Sequence, residues 1–349
     1  MIESVHFRNF KALRNTTLPL APFTLLVGPN GSGKSTVLQA LQQIAGLAGE
    51  AASSRGNLGN RPGWWALLVS VTAEEQKVPV EINVRLRVNK RLFVAVFQWH
   101  PNNVQLTVQL SDEHGNALQG AEAIVPLQWL ATMRTFALDP VAIAQPIPVN
   151  SGPLQSNGHG LAAVLDDLKD NHPERWELLL AEMRRWLPEY DHIQFDKPAQ
   201  GQKGIMLRTK KGGHRIPARD LSQGTLVALA LLTVAYLPNP PSLVGLEEID
   251  RGLHPRLLRH LQDALYRLSY PESCGEKRPP IQVIATTHSP YLLDLYRDHP
   301  EEVVLAQKEG LEVEMRRLTD IAHFEEILGE SPLSEVWYSG VLGGVSVKP

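Results

Sequence analysis

Gly28-Pro29-Asn30-Gly31-Ser32-Gly33-Lys34-Ser35-Thr36 is the stretch on which the reading of this chain turns. It fits the spacing G-x-x-x-x-G-K-S/T. Glycines at those places let the backbone fold around an anion, so that several N–H groups point inward. Phe23 to Val27 ahead of it is a compact apolar strand. Ser35 to Leu47 behind it has helical spacing, with Val37, Leu38, Leu41 and Ile44 on one face. Strand, glycine loop and helix are the context a phosphate cradle requires. Gly28, Asn30, Gly31, Gly33 and Thr36 are read as its lining. Lys34 would neutralise phosphate as a point cation, and the Ser35 hydroxyl would ligate Mg²⁺. The N-terminus of the following helix adds partial positive charge.

Further along, Ser242-Leu243-Val244-Gly245-Leu246-Glu247-Glu248 is an apolar strand ending in two acids. The first acid, Glu247, can hold Mg²⁺, and the second, Glu248, can orient and deprotonate an attacking water. Ala285-Thr286-Thr287-His288-Ser289-Pro290 is a strand followed by a polar turn, and His288 is placed to contact a terminal phosphate. Leu221-Ser222-Gln223-Gly224-Thr225 offers a hydroxyl and a flexible glycine at a helix start. Taken alone, that serine reads better as a helix N-cap, and that histidine as a structural or surface group.

The chain has 349 residues, long enough for two lobes. It is 43% hydrophobic and 20% charged with a net charge of −3, so bulk charge does not favour non-specific nucleic-acid binding, and DNA contact would need a local basic patch. The single cysteine, Cys274, excludes an internal disulfide and a CxxC zinc pair. The N-terminus carries no apolar signal run, and the longest apolar run, Leu226 to Leu237, is too short to span a bilayer. The expectation is a cytoplasmic protein with no membrane contact.

Residues 1–20 read as a hairpin, and Ala48 to Gly63 as a surface loop. A period-two pattern begins near Val69. Pro79 to Val88, Leu92 to Trp99 and Val104 to Leu110 alternate as strands of an antiparallel sheet inserted after the first helix, with a turn at Asn89-Lys90-Arg91. Residues 120–150 are rich in loop signals. Leu161 to Leu168 and Pro173 to Leu187 read as helices, and Ile193 to Arg219 as a hairpin turned by Lys210-Lys211-Gly212-Gly213. A helix from Gln223, a strand at Leu243 to Leu246, a helix from Pro255 and a strand at Gln282 to Ala285 complete an α/β core. The expected division is a first ATPase lobe at 1–150 with the β insertion, a helical and hairpin segment at 151–220, and a second ATPase lobe at 221–349.

In this order the four motifs resemble the ABC-type ATPase core: Walker A, signature, Walker B with its glutamate, and switch histidine. Phe7-Arg8-Asn9-Phe10-Lys11 ahead of the P-loop, Glu247 to Pro255, and the tail Trp337 to Gly344 resemble the RecF, SMC and OLD-like branch. The resemblance implies an α/β P-loop NTPase of the ABC/RecF-like head type, with an inserted antiparallel β lobe and a small helical subdomain. It implies ATP and Mg²⁺ as cofactors and a head-to-head homodimer, in which Ser222 and Gly224 of one subunit cap ATP held at Lys34 of the other. Gly252-Leu253-His254 would be the D-loop, and Gln145, a further candidate metal ligand, the Q-loop residue. Glu248, His288 and Lys34 would carry catalysis. The chain departs from the family pattern at Gln223 and Thr225 of the signature, at Glu247 in place of aspartate, and at His254 in place of aspartate.

Three functions compete. The first is an ATP-gated switch in DNA maintenance or anti-phage defence, working with an effector such as a nuclease. DNA would be held at Arg85, Arg87, Lys90 and Arg91, or at Arg208, Lys210, Lys211, His214 and Arg215. The second is the nucleotide-binding subunit of a membrane transporter, which the inserted sheet and the Glu-Glu pair fit badly. The third is an OLD-type nuclease, which needs a further Toprim domain; too few residues follow His288 to supply one.

Overall fold

The computed structural model describes residues 1–53, 78–100, 105–148 and 152–342. The chain divides into two compact units. The first gathers Met1–Thr135, Pro241–Leu246 and Pro280–Pro349, and the second Phe136–Pro240 and Glu247–Pro279.

The first unit holds two sheets. The N-terminal hairpin, β1 (Ile2–Phe10) and β2 (Leu13–Pro19), continues into β4 (Val80–Val88), β5 (Arg91–His100) and β6 (Gln105–Asp112), in the order β2-β1-β4-β5-β6. The inserted strands thus extend the N-terminal hairpin. Strand β4 buries Val80, Ile82, Val84, Leu86 and Val88 and turns Glu81, Asn83, Arg85 and Arg87 outward, the period of two that a one-sided sheet demands. Asn89 and Lys90, both at positive φ, make the two-residue turn that matches strand twist, so Arg91 already belongs to β5.

The second sheet is β15-β14-β3-β13-β12-β7, comprising β3 (Phe23–Val27), β7 (Arg134–Phe136), β12 (Leu243–Leu246), β13 (Gln282–Thr287), β14 (Val303–Glu309) and β15 (Glu312–Arg317). Strands β14, β3, β13 and β12 run parallel. Every residue of β3, β12 and β13 is buried, as expected for central parallel strands covered on both faces. Gln282 ties the two sheets together: its amide oxygen accepts from the Ile2 N–H (2.7 Å), and its NH₂ donates to the carbonyls of Ile2 (2.7 Å) and Ala21 (3.0 Å).

Helix α1 (Lys34–Ser53) packs its apolar face into this core. It is longer than its sequence spacing suggests. Residues 48–53 of the expected surface loop are helical, with Ala48 and Ala51 buried. Gly46 and Gly49 look like breakers, but at Gly49 a small residue suits the neighbouring helix α2 (Ala121–Ala131): a Cβ there would sit 3.6 Å from that of Ala131. The helix α2 itself falls where the sequence suggests loops, because Pro126 lies inside it. The readings at 54–63, from Val69 to 77, at Val104 and at 343–344 fall outside the described residues. Short helices α8 (Pro290–Asp294), α9 (Phe324–Leu328) and α10 (Leu333–Tyr338) complete the unit.

The second unit comprises helices α3 (Pro140–Ala144), α4 (Leu161–Asn171), α5 (Pro173–Trp186), α6 (Gln223–Ala235) and α7 (Pro255–Ser269), with a small antiparallel sheet. In that sheet β10 (Gln202–Thr209) pairs with β8 (Ile147–Pro148), β9 (Tyr190–Asp196) and β11 (Arg215–Pro217), and residues 210–213 turn β10 into β11. Helix α6 is buried from Thr225 to Val234, as an all-round apolar helix must be. Buried Glu182 of α5 holds Arg267 of α7 (3.1 Å). Among the described residues no helix is long and apolar enough to cross a membrane.

Candidate active site

Strand β3 ends at Val27, the loop runs through Gly28–Gly33, and α1 begins at Lys34. A Cβ on Gly28 would collide with the Ala306 carbonyl and stand 2.8 Å from the Ser32 Oγ, so only glycine fits. Gly31 (φ +78°) and Gly33 (φ +89°) occupy left-handed backbone that wraps the loop on itself. Lys34 is only 6% exposed, and its ammonium donates to the carbonyls of Gly28 (2.7 Å) and Pro29 (2.9 Å). A buried cation is thus held over the loop by the loop's own carbonyls. The first turn of α1 carries no acid to offset the positive end of the helix. Ser35 and Asn30 are exposed, and Thr36 is half-buried. Cation, glycine backbone and helix terminus together suit a polyphosphate.

The parallel sheet sets the neighbour of this loop. Val27 pairs with Thr287, so the P-loop and His288 leave adjacent strands from paired residues. His288 is half-buried, and the Thr287 Oγ1 accepts from the Ser289 N–H (2.9 Å), shaping the turn in which it stands. Strand β12, whose Leu246 pairs with Ala285, runs directly into Glu247 and Glu248. The Glu247 N–H donates to the Phe136 carbonyl (2.8 Å). Glu248 sits at φ +46°, a conformation costly for a residue with a Cβ, and its carboxylate lies 3.7 Å from Arg251.

In the second unit Ser222 is the N-cap of α6. Its Oγ accepts from the Thr225 N–H (3.1 Å) and lies 2.7 Å from the Thr225 hydroxyl. The residue is nonetheless exposed, and it lines a pocket of about 250 Å³. Gly224, Gly252, His254 and Arg256 share that pocket. A Cβ on Gly224 would strike the Gly252 carbonyl, so the signature and the turn after Walker B meet backbone to backbone. His254 caps α7, its Nδ1 accepting from the Arg256 N–H (3.2 Å), ahead of Pro255 at the first helical position. Histidine here performs the capping that aspartate performs elsewhere. Neighbouring Tyr190 has its hydroxyl pKa raised by burial and by Glu189.

The site residues divide between the units. Gly28 to Thr36 and His288 belong to the first, and Gln145, Ser222, Gly224, Glu247 and Glu248 to the second. Gln145 is the exposed C-cap of α3, and its N–H donates to the Ala142 carbonyl. Ala306 was not legible at the P-loop, nor Thr287 as the shaper of the His288 turn, since each acts through a backbone approach or a turn that no spacing reveals. Among the described residues no group of three or more His, Cys, Asp or Glu is arranged to hold a metal.

Strand, P-loop and helix on a parallel sheet define a P-loop ATPase. Residues 1–94 match the family model for an AAA ATPase domain, and residues 144–294 match that for an AAA domain, putative AbiEii toxin, Type IV TA system. The chain is 44% identical over 46 residues to the OLD nuclease of Thermus scotoductus, covering 13% of this chain and 9% of that protein. It is 48% identical over 61 residues to the chromosome partition protein Smc of a Synechococcus species, covering 17% of this chain and 5% of that protein. It therefore spans under a tenth of the length of these curated relatives. The solved SMC head domain from Thermotoga maritima superposes with a TM-score of 0.50 at 12% identity, over 90% of this chain and 98% of that one. The chain is an AAA-type P-loop ATPase, similar over short segments to OLD and Smc proteins.

The left-handed backbone at Glu248 yields a stability test. Glycine at 248 relieves a strain that alanine retains, so Glu248→Gly will be more stable than Glu248→Ala by roughly 1 kcal/mol in urea unfolding. Equal stabilities would show that the turn relaxes without cost.

Proposed function

We propose that ATP binds at Gly28, Asn30, Gly31, Gly33, Lys34, Ser35 and Thr36, and that two copies of the chain close head to head on it. In this reading Lys34 neutralises phosphate charge, Glu248 takes the proton of the attacking water, and His288 contacts the γ-phosphate. Ser222 and Gly224 cap the nucleotide held by the partner copy. Mg²⁺ screens the phosphate charge when bound. Ser35, Glu247 and Gln145 offer the oxygen donors this ion prefers, phosphate and water completing its shell. The observation that carries the reading is the register of β3 on β13, which launches the P-loop and His288 from paired residues. We further propose that closure acts as a switch in DNA repair or anti-phage defence, through an effector protein.

The mass of the protein in solution tests closure. Glu248→Gln with ATP and Mg²⁺ will form a stable dimer or larger assembly, because nucleotide binds and is not cleaved. Lys34→Ala will not respond to ATP. A mass independent of ATP in every variant would rule out nucleotide-driven closure of this chain alone.

Of the two basic hairpins, we favour the second for DNA. Arg85 and Arg87 are committed to Glu3 (3.0 and 2.8 Å), and Arg208 to Asp191 (2.8 Å). Lys210, Lys211, His214 and Arg215 stand exposed around the β10–β11 turn. Reversing Lys210 and Lys211 to glutamate will weaken binding to duplexes of unrelated sequence alike, and will flatten the salt dependence by about two phosphate contacts. An unchanged salt slope would move DNA elsewhere.

A further inference from the structure

Helix α8 starts two residues after His288 and is five residues long, too short to hold its place by itself. Its position, and that of the turn bearing His288, comes from what grips it. Leu292 and Leu293 are fully buried. Tyr296, just beyond the helix, stacks on Phe23 at the start of β3 with ring centroids 5.0 Å apart and planes 4° from parallel. The remaining grip comes from the C-terminal segment. Both carboxylate oxygens of Asp294 are used: one accepts from the Ser334 N–H and the other from its hydroxyl, each at 2.8 Å. Ser334 is buried at the start of α10. The Arg297 guanidinium donates to the carbonyls of Gly329 (2.6 Å) and Ser331 (3.1 Å). At the far end, the Gln307 side chain on β14 donates to the Leu342 carbonyl (2.6 Å). Residues 329–342 thus form a strap fixed at both ends, and its central bond is Asp294–Ser334.

We propose that Asp294 and Ser334 are a positioning pair for His288: the C-terminal strap sets the reach of the histidine toward the nucleotide without touching the nucleotide itself. This rests on the reading that His288 acts on ATP. A carboxylate that accepts two bonds from one residue fixes orientation as well as distance, and it acts beside the Tyr296–Phe23 stack, the Ser289 cap and the two buried leucines in holding α8. Loosening the pair lets the turn at His288 drift while the P-loop, anchored in β3 and α1, stays in place. The loss therefore falls on turnover and spares ATP affinity.

The test is steady-state ATP hydrolysis by full-length Ser334→Ala and Asp294→Asn, alone and combined with His288→Ala, with thermal melts beside them. The expected result is a fall in kcat of about tenfold or more for Ser334→Ala with KM for ATP unchanged. Asp294→Asn keeps one acceptor oxygen and the same volume. It will lose less, and it carries the test should Ser334→Ala melt early. In the His288→Ala background neither substitution will lower kcat further, since both act through the missing ring. Wild-type kcat in both single variants would overturn the proposal, and so would the same fold-loss with His288 absent. If His288→Ala alone leaves kcat unchanged, the role assigned to that histidine fails, and the positioning pair with it.

Discussion

Parallel pairing of β3 with β13 joins Phe23–Val27 to a strand from the far end of the chain, and the rest of the site hangs on that register. A shift of one residue would send each side chain of the shifted strand to the opposite face of the sheet. Both faces of both strands are buried, so a shift would exchange two packed faces that fit different neighbours. The register in turn decides which loops emerge side by side at the carboxyl edge. The P-loop follows Val27, the His288 turn follows Thr287, and the Glu247-Glu248 pair follows β12 on the next strand. Ligands of open parallel sheets bind at the carboxyl ends of the strands, the end from which the P-loop and the His288 turn leave.

Local backbone constraint does the rest. Gly28 admits the Ala306 carbonyl, and Gly224 admits that of Gly252. Glu248 keeps a side chain where the backbone favours glycine. Strain of that kind survives only where surroundings impose it, and it accumulates where a side chain must point in one direction. The two glycine contacts have a different use. Each locks a loop to a neighbouring segment without a side chain between, so the loop has little room to relax.

Much of this was legible in the amino-acid order, for physical reasons. The P-loop spacing, the apolar runs of β3 and β12, and the alternation of β4 each follow from a backbone period or a glycine requirement that leaves a mark on the sequence. The second basic hairpin was legible through its Lys-Lys-Gly-Gly turn. What was missed depends on partners distant in the chain. Helix α1 runs on past Leu47 through Gly49 with α2 lying against it, and nothing near position 49 announces Ala131. Charge at Arg85 and Arg87 looks available until Glu3 is brought beside it. Ser222 taken alone reads as a cap rather than an anion contact. It is seated as the cap, and the residue is still exposed at a pocket, so the two uses do not exclude each other.

The central claim is that one ATP is held by Lys34 of one copy and Ser222 of another, and mixing two crippled proteins tests it most directly. Lys34→Ala lacks the cradle and Ser222→Arg blocks the cap, so each alone will hydrolyse ATP at background rate. In a mixed dimer one of the two sites pairs an intact Lys34 with an intact Ser222. The account predicts that hydrolysis returns on mixing and rises with the fraction of mixed dimer. If both variants are folded and form dimers together, yet the mixture stays at background, the nucleotide is not shared between copies and Ser222 has no role across the interface.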